Sequence, residues 1–196
     1  MTYAIIGTGN VGQALAHRFA RSGIAVSLAN SRGPESISEL AKKLGPAVTA
    51  THLQDALNAD VVIFAVPFAS HAAIARARSN WKGKTVIDAM NFREPSLAPL
   101  GGLQSSEFVA MSLPGAKLVK TFNQLPAALL ASEPAERGGR RVMFVAGNHD
   151  EANAEVAGLV ATLGFAPVLL GQLSEGGSLL RFRGPLVLQN LIKLGS

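Results

Sequence analysis

The chain has no cysteine, one tryptophan and one tyrosine among 196 residues. Without thiols there is no disulfide framework, no cysteine nucleophile and no cysteine-ligated metal site, and the composition fits a reducing cytosol. A chain of this length buries roughly 70% of its unfolded surface, so it folds without such staples. Also missing is any uninterrupted apolar run of about 18 residues, the length a membrane-spanning helix needs. The apolar start Tyr3-Ala4-Ile5-Ile6 runs directly into glycines, without a basic leader or cleavage site. The expectation is a soluble, unprocessed, cytoplasmic protein with no membrane partner. Acidic residues are the minority charge, 13 against 18 lysines and arginines. The resulting pI near 10 describes either a solvated basic surface or a field that draws anionic ligands such as phosphorylated cofactors. Nucleic acid is not an expected partner, because no basic helix, zinc spacing or aromatic-interleaved strand is present. The histidines His17, His52, His71 and His149 lack metal-ligand spacing, and neither G-x-S-x-G nor H-E-x-x-H occurs. Metal, serine-hydrolase and zinc-protease chemistry therefore have no residues to carry them.

What is present is alternation. Tyr3 to Ile6, Ala25 to Ala29, Val48 to Ala50, Val61 to Val66 and Thr85 to Ala89 read as strands. Between them Val11 to Arg21, Pro34 to Leu44, His52 to Leu57 and Ala69 to Arg78 read as helices. Strand, helix, strand, repeated, predicts an α/β fold of Rossmann type, a doubly wound, mostly parallel sheet with helices on both faces. The run Val61 to Val66 shows no polar alternation, as in a central parallel strand covered on both sides. After Met90 comes a Pro/Gly-rich connection through Pro95, Pro99 and Gly101-Gly102, then a helix near Ser105 to Leu113. Strands at Lys117 to Phe122, Val142 to Ala146 and Ala166 to Leu170 follow, with a helix at Asp150 to Leu163 for which Asp150 is the expected N-cap. No flexible polar stretch separates two cores, so the reading is one domain over 1–196, with a dinucleotide-binding half (1–92) and an acceptor-side half (93–196).

Gly7-Thr8-Gly9-Asn10-Val11-Gly12 matches G-x-G-x-x-G directly after a buried strand and directly before a helix. The first glycine permits the turn, the second lets backbone approach a pyrophosphate, and the third lets helix and strand pack closely. Amides at the helix N-terminus then face the diphosphate. A P-loop would need Lys-Ser/Thr after the last glycine, where Gln13-Ala14 stands. About 20 residues past the turn an NAD-specific protein places an acid on the ribose 2′-hydroxyl. Here the second strand ends in Asn30-Ser31-Arg32, two hydrogen-bonding side chains and a guanidinium suited to a phosphate ester. The expected cofactor is therefore NADP(H) rather than NAD(H). Ala65-Val66-Pro67 and Met90-Asn91, at the ends of strands flanking the switch point, complete the expected cofactor cleft.

These segments, with Asn30 to Ser36, Val119-Lys120-Thr121-Phe122-Asn123 and Pro126-Ala127, make the chain resemble a known family. It is the NADPH-dependent reductases typified by NADPH:coenzyme F420 (deazaflavin) oxidoreductase, related to the oxidoreductase domain of STEAP ferric reductases. The resemblance runs over nearly the whole chain, through Val145-Ala146-Gly147 and Leu163-Gly164-Phe165. It implies that Thr8 to Val11 and Ser31-Arg32 hold NADPH, and that the region Thr121 to Pro126 borders the pocket where a second ring system stacks. The acceptor it implies is a deazaflavin, with a flavin or another small molecule left open.

Hydride transfer between two planar rings needs the reacting carbons face to face at about 3 to 3.5 Å, and the cofactors carry the reactive orbitals. No catalytic side chain is required, and none is assigned. Candidate acceptor contacts are His71, just past Val66-Pro67-Phe68, and Phe122, Asn123, Gln124 and Leu125, where amides stand in an apolar wall. Core packing is the alternative for Phe122 to Leu125, and a surface or capping role is the alternative for His71. Arg137, Arg140 and Arg141 offer either an anchor for an anionic tail or a solvated surface. Two other functions stay open: an imine or carbonyl reductase completed across a homodimer, since no large helical portion builds a substrate site, and a non-catalytic NADPH sensor. The apolar segment Leu186 to Leu194 is either a docking face for a second copy or another partner, or a terminal core helix.

Overall fold

The computed structural model describes residues 1–94 and 96–195; Pro95 of the expected connection, like Ser196, lies outside them. Six short aliphatic strands, β1 (Tyr3–Ile6), β2 (Val26–Ala29), β3 (Val48–Ala50), β4 (Val61–Phe64), β5 (Thr85–Asp88) and β6 (Lys117–Lys120), pair in parallel. Their order is β3-β2-β1-β4-β5-β6. It reverses between β1 and β4, which opens a crevice at the carboxyl ends of those strands. The connecting helices are α1 (Asn10–Arg21), α2 (Ser38–Leu44), α3 (Leu53–Ala56), α4 (His71–Arg76) and α5 (Ser105–Met111).

Side chains of a strand alternate between faces, and here both faces are buried. Ile5, Ile63, Ile87 and Val119 pack on one side with Leu15 and Phe19 of α1. Ala4, Val62, Phe64, Val86 and Leu118 pack on the other with Trp81 and Val109. Each fully buried Leu, Ile or Phe contributes about 1.5–3 kcal/mol relative to exposure. That two-sided burial is why β4 tolerates no polar residue.

Beyond β6 the chain forms α6 (Ala127–Ala131), β7 (Ala135–Glu136), β8 (Gly139–Gly147), α7 (Asp150–Thr162), β9 (Ala166–Leu169), α8 (Gly176–Leu179) and β10 (Ile192–Leu194). The nine-residue β8 runs antiparallel to β6, β7 and β10 and parallel to β9. One edge of β8 is bordered by β10 at Gly139 to Arg141 and by β6 at Ala146 and Gly147. In the gap between them Gln124 stands in for a strand. Its Nε2 donates to the Val142 carbonyl at 3.2 Å, and its Oε1 accepts from the Phe144 N–H at 2.7 Å.

Several boundaries differ from expectation. The strand expected to reach Val66 leaves the sheet after Phe64, and the one expected to reach Phe122 stops at Lys120. Phe122 has φ 62°, a left-handed conformation that costs a non-glycine residue about 1–3 kcal/mol and cannot continue a ladder. The expected helices at Pro34 and Ala69 begin as 3₁₀ turns, Pro34–Ile37 and Phe68–Ser70. Asp150 is the first helical residue, and His149 occupies the cap position without a side-chain bond. The segment Leu186 to Leu194 is not a helix. It ends in β10, and it leaves Leu188, Leu191 and Leu194 exposed.

Candidate dinucleotide-binding site

The three glycines of the first turn carry three separate geometric duties. Gly7 has φ 115°, and a Cβ there would stand 2.2 Å from the Ala65 carbonyl oxygen; one on Gly12 would stand 1.9 Å from that of Gly7. Those two let β1, β4 and α1 close on one another. A Cβ on Gly9, by contrast, meets nothing within 4 Å. The space above it is an open cradle. Gly9 is also the N-cap of α1, which has no side-chain cap and no acidic residue in its first turn. The helix therefore presents its positive end, with orphan amides at Asn10, Val11 and Gly12, to that space. A diphosphate fits this arrangement.

At the end of β2, Asn30 organises the next loop. Its Oδ1 accepts from the Arg32 N–H at 2.9 Å, and its Nδ2 donates to Ser36 Oγ at 3.0 Å and to Thr8 Oγ1 at 3.3 Å. Asn30 thus joins the glycine turn to the loop that carries Ser31 and Arg32. Ser31 and Arg32 project from it exposed, with no ion pair to Arg32 among the described residues.

Between β1, β4 and β5 lies a cleft of about 580 Å³, lined by Gly9, Asn10, Val11, Ala65, Val66, Pro67, Met90 and Asn91. The structure thus brings together, on one opening, residues distant in sequence that were expected to share it. Its far wall is aromatic. Phe68 and Phe92 both line the cleft with ring centroids 4.8 Å apart. Phe92 and Glu94 also border a smaller cavity of about 120 Å³ with Phe182, Arg181 and Arg183. Arg93 and Arg183 each stand over the Phe182 ring.

The expected acceptor residues are placed differently. His71 is buried behind the wall, its Nδ1 2.6 Å from the Phe68 carbonyl and its ring against Phe68 and Phe108. The 3₁₀ turn at Phe68 puts Phe68, not His71, on the cleft. Phe122 and Leu125 belong to the core, and the Gln124 amide is engaged on β8. Asn123 alone reaches the cleft wall, through Asn91. Arg141 is buried against Glu136 and Asn190, and Arg137 pairs with Glu136 at 3.7 Å, so this cluster does not line the cleft.

Sequence reasoning missed the pair Asp88 and Lys120 beneath Met90. Both are buried, with Lys120 Nζ 3.2 Å from Asp88 Oδ2. Burial pushes the Lys120 ammonium down from the ordinary lysine range, against the opposing pull of Asp88. The signal was available as a charge at the carboxyl end of each of two strands whose middle residues, Val86-Ile87 and Leu118-Val119, are apolar.

Fold, glycine turn and cleft define a class, the dinucleotide-binding α/β proteins. Within it, this chain belongs to the coenzyme F420-dependent NADP oxidoreductase family, whose model matches residues 2–92. A protein of Arthrobacter sp. FB24 assigned as an F420-dependent NADP-reductase superposes with TM-score 0.76 at 30% identity, covering 92% of this chain and 90% of that one. The hypothetical protein SMa0349 of Sinorhizobium meliloti superposes with TM-score 0.93 at 50% identity, covering 98% and 96%. The metalloreductase STEAP3 of Rattus norvegicus is 30% identical over 173 residues, 87% of this chain and 34% of that protein. The chain spans about a third of the length of the curated relatives it matches. Among the described residues no helix is long and apolar enough to cross a membrane.

Proposed function

We propose that the chain is an NADPH-dependent reductase that passes hydride to a flavin-like planar acceptor, a deazaflavin or a flavin. The observation that carries this reading is the continuity of the open cradle over Gly9 with the aromatic wall of Phe68 and Phe92. One cleft thus offers a diphosphate seat and a surface on which a flat ring can stack.

The amides of Asn10 to Gly12 take the diphosphate, and Ser31 with Arg32 takes the 2′-phosphate by charge-assisted hydrogen bonds. Met90 and Asn91 form the floor at the other end. Phe68 and Phe92 exclude water from the reacting faces, which favours hydride passage over side reactions. Arg181 and Arg183 beside Phe182 suit an acceptor that carries negative charge. The bound cofactor supplies the hydride, and solvent supplies the accompanying proton, so no side chain needs to act as acid or base.

Stopped-flow loss of NADPH absorbance against a panel of deazaflavin, FMN, FAD, cyclic imines and small carbonyls tests the reading. Turnover with deazaflavin or a flavin, and none with imines or carbonyls, is expected. Turnover confined to imines or carbonyls, or tight NADPH binding without turnover on any acceptor, overturns it.

A further inference from the structure

We infer that Asp88 and Lys120 are positioning residues that clamp the backbone of Met90 and so set the floor of the cleft where the nicotinamide is to lie. The inference rests on the cofactor reading above. The geometry is a two-point grip on one residue. Asp88 Oδ1 accepts from the Met90 N–H at 2.9 Å, and Lys120 Nζ donates to the Met90 carbonyl at 2.5 Å. Asp88 Oδ2 accepts from Lys120 at 3.2 Å and from Ser106 Oγ at 2.7 Å, which fixes the carboxylate from the side of α5.

The position of the grip explains its need. β5 ends at Asp88, and Ala89 makes the next ladder bond, its N–H donating to the Phe64 carbonyl at 3.1 Å. One residue later Met90 has left the ladder but is still buried, so both its peptide groups require partners inside the protein. An acceptor is needed for the N–H and a donor for the carbonyl. One neutral apolar side chain supplies neither, whereas an opposed charge pair supplies both and cancels its own charge.

Stability alone does not account for the pair. A buried ion pair is commonly no better for stability than well-packed apolar residues of similar volume. Phe64, Val86 and Leu118 on the same face of the sheet show that this layer accepts such residues. What the pair adds is a fixed path for Met90 and Asn91, both of which line the cleft. Ser31 and Arg32 follow β2, on the other side of β1, and the clamp does not touch them. Its effect is therefore confined to one end of the cofactor.

That confinement gives the test. NADPH and the fragment 2′,5′-ADP, which has the 2′-phosphate but no nicotinamide, are titrated by calorimetry into the wild type, Asp88→Leu/Lys120→Met and Asp88→Asn/Lys120→Gln, with thermal unfolding in parallel. The apolar pair is expected to raise the NADPH Kd about tenfold or more, because a floor no longer preorganised must be ordered on binding, while the 2′,5′-ADP Kd stays within about twofold. The Asn/Gln pair keeps an acceptor for the N–H and a donor for the carbonyl, and is expected to recover most of the NADPH affinity. Unchanged NADPH affinity in the apolar pair, or equal weakening of both ligands, overturns the clamp. Failure of the wild type to bind either ligand overturns the cofactor reading instead. Should the apolar pair not fold, Ser106→Ala provides a milder lesion, with an expected NADPH-selective rise of about threefold for one lost hydrogen bond. Identical binding of NADPH by Ser106→Ala and wild type then overturns the clamp.

Discussion

Asn91 and Asn123 are joined amide to amide. Asn123 Nδ2 donates to Asn91 Oδ1 at 3.0 Å, and Asn91 Nδ2 donates to the Asn123 carbonyl at 3.4 Å. Asn123 Nδ2 also donates to the Leu180 carbonyl at 2.7 Å. One buried side chain therefore connects the cleft wall at Asn91 to the segment that carries Arg181, Phe182 and Arg183. Asn123→Ala leaves the Leu180 carbonyl without its donor, a loss of about 1–3 kcal/mol for a buried group. Lower thermal stability and faster amide exchange confined to residues 176–184 are expected. Unchanged protection there would show that the link bears no part of the segment's order.

If Ser31 and Arg32 receive the 2′-phosphate as proposed, the loop after β2 should set cofactor choice through charge. Ser31→Asp/Arg32→Ala removes a guanidinium and adds a carboxylate where a 2′-phosphate is to bind. Loss of one charge-assisted hydrogen bond is worth about 1.5–3 kcal/mol, so NADPH affinity should fall at least about tenfold. The new carboxylate can accept from a ribose hydroxyl, and NADH affinity should rise. Calorimetric titration of both cofactors checks the reversal; an unchanged preference would place the 2′-phosphate elsewhere.

The glycine turn separates binding from folding. Gly9→Ala enters open space at φ −73°, so stability should fall only by the N-cap preference for glycine over alanine, about 0.5–1 kcal/mol, while NADPH binding weakens sharply. Gly12→Ala drives a methyl into the Gly7 carbonyl and should cost about 1–3 kcal/mol, visible as a lower denaturation midpoint. Equal behaviour of the two variants would contradict these separate duties.

Acid stability should depend on Asp60. Its Oδ2 accepts from the Thr2 N–H at 2.7 Å and from Thr2 Oγ1 at 2.9 Å, which holds the carboxyl below the ordinary carboxylate range. The folded pKa lies below the unfolded one, so this contribution is present above the unfolded value near about 3.9 and is lost as pH falls through the folded value. Asp60→Asn should therefore lower stability at neutral pH and flatten its fall below about pH 4. Parallel pH curves for the two proteins would show that the contact is not coupled to folding.

Much of the sheet was legible because its cause is local. Val61 to Phe64 is apolar at every position, as burial on both faces demands, and Gly7, Gly9 and Gly12 span the passage from β1 into the first turn of α1. The acceptor side was not legible for a reason seen at Gln124. An amide in an apolar segment reads equally as a ligand contact or as a core group, and only the missing stretch of ladder along β8 decides between them. His71 shows the same limit at smaller scale, where one 3₁₀ turn exchanges it with Phe68 at the cleft.

The order of strands and helices, the glycine turn and the cation-bearing loop after β2 are properties of the chain's own pattern, because periodicity and backbone sterics act over a few residues. The grip of Asp88 and Lys120 on Met90, the link from Asn91 to Leu180, and the cavity that Phe92 and Phe182 both border are decided only in three dimensions. They join residues tens of positions apart, and which buried polar group finds which partner depends on strand order and on where each strand leaves the sheet.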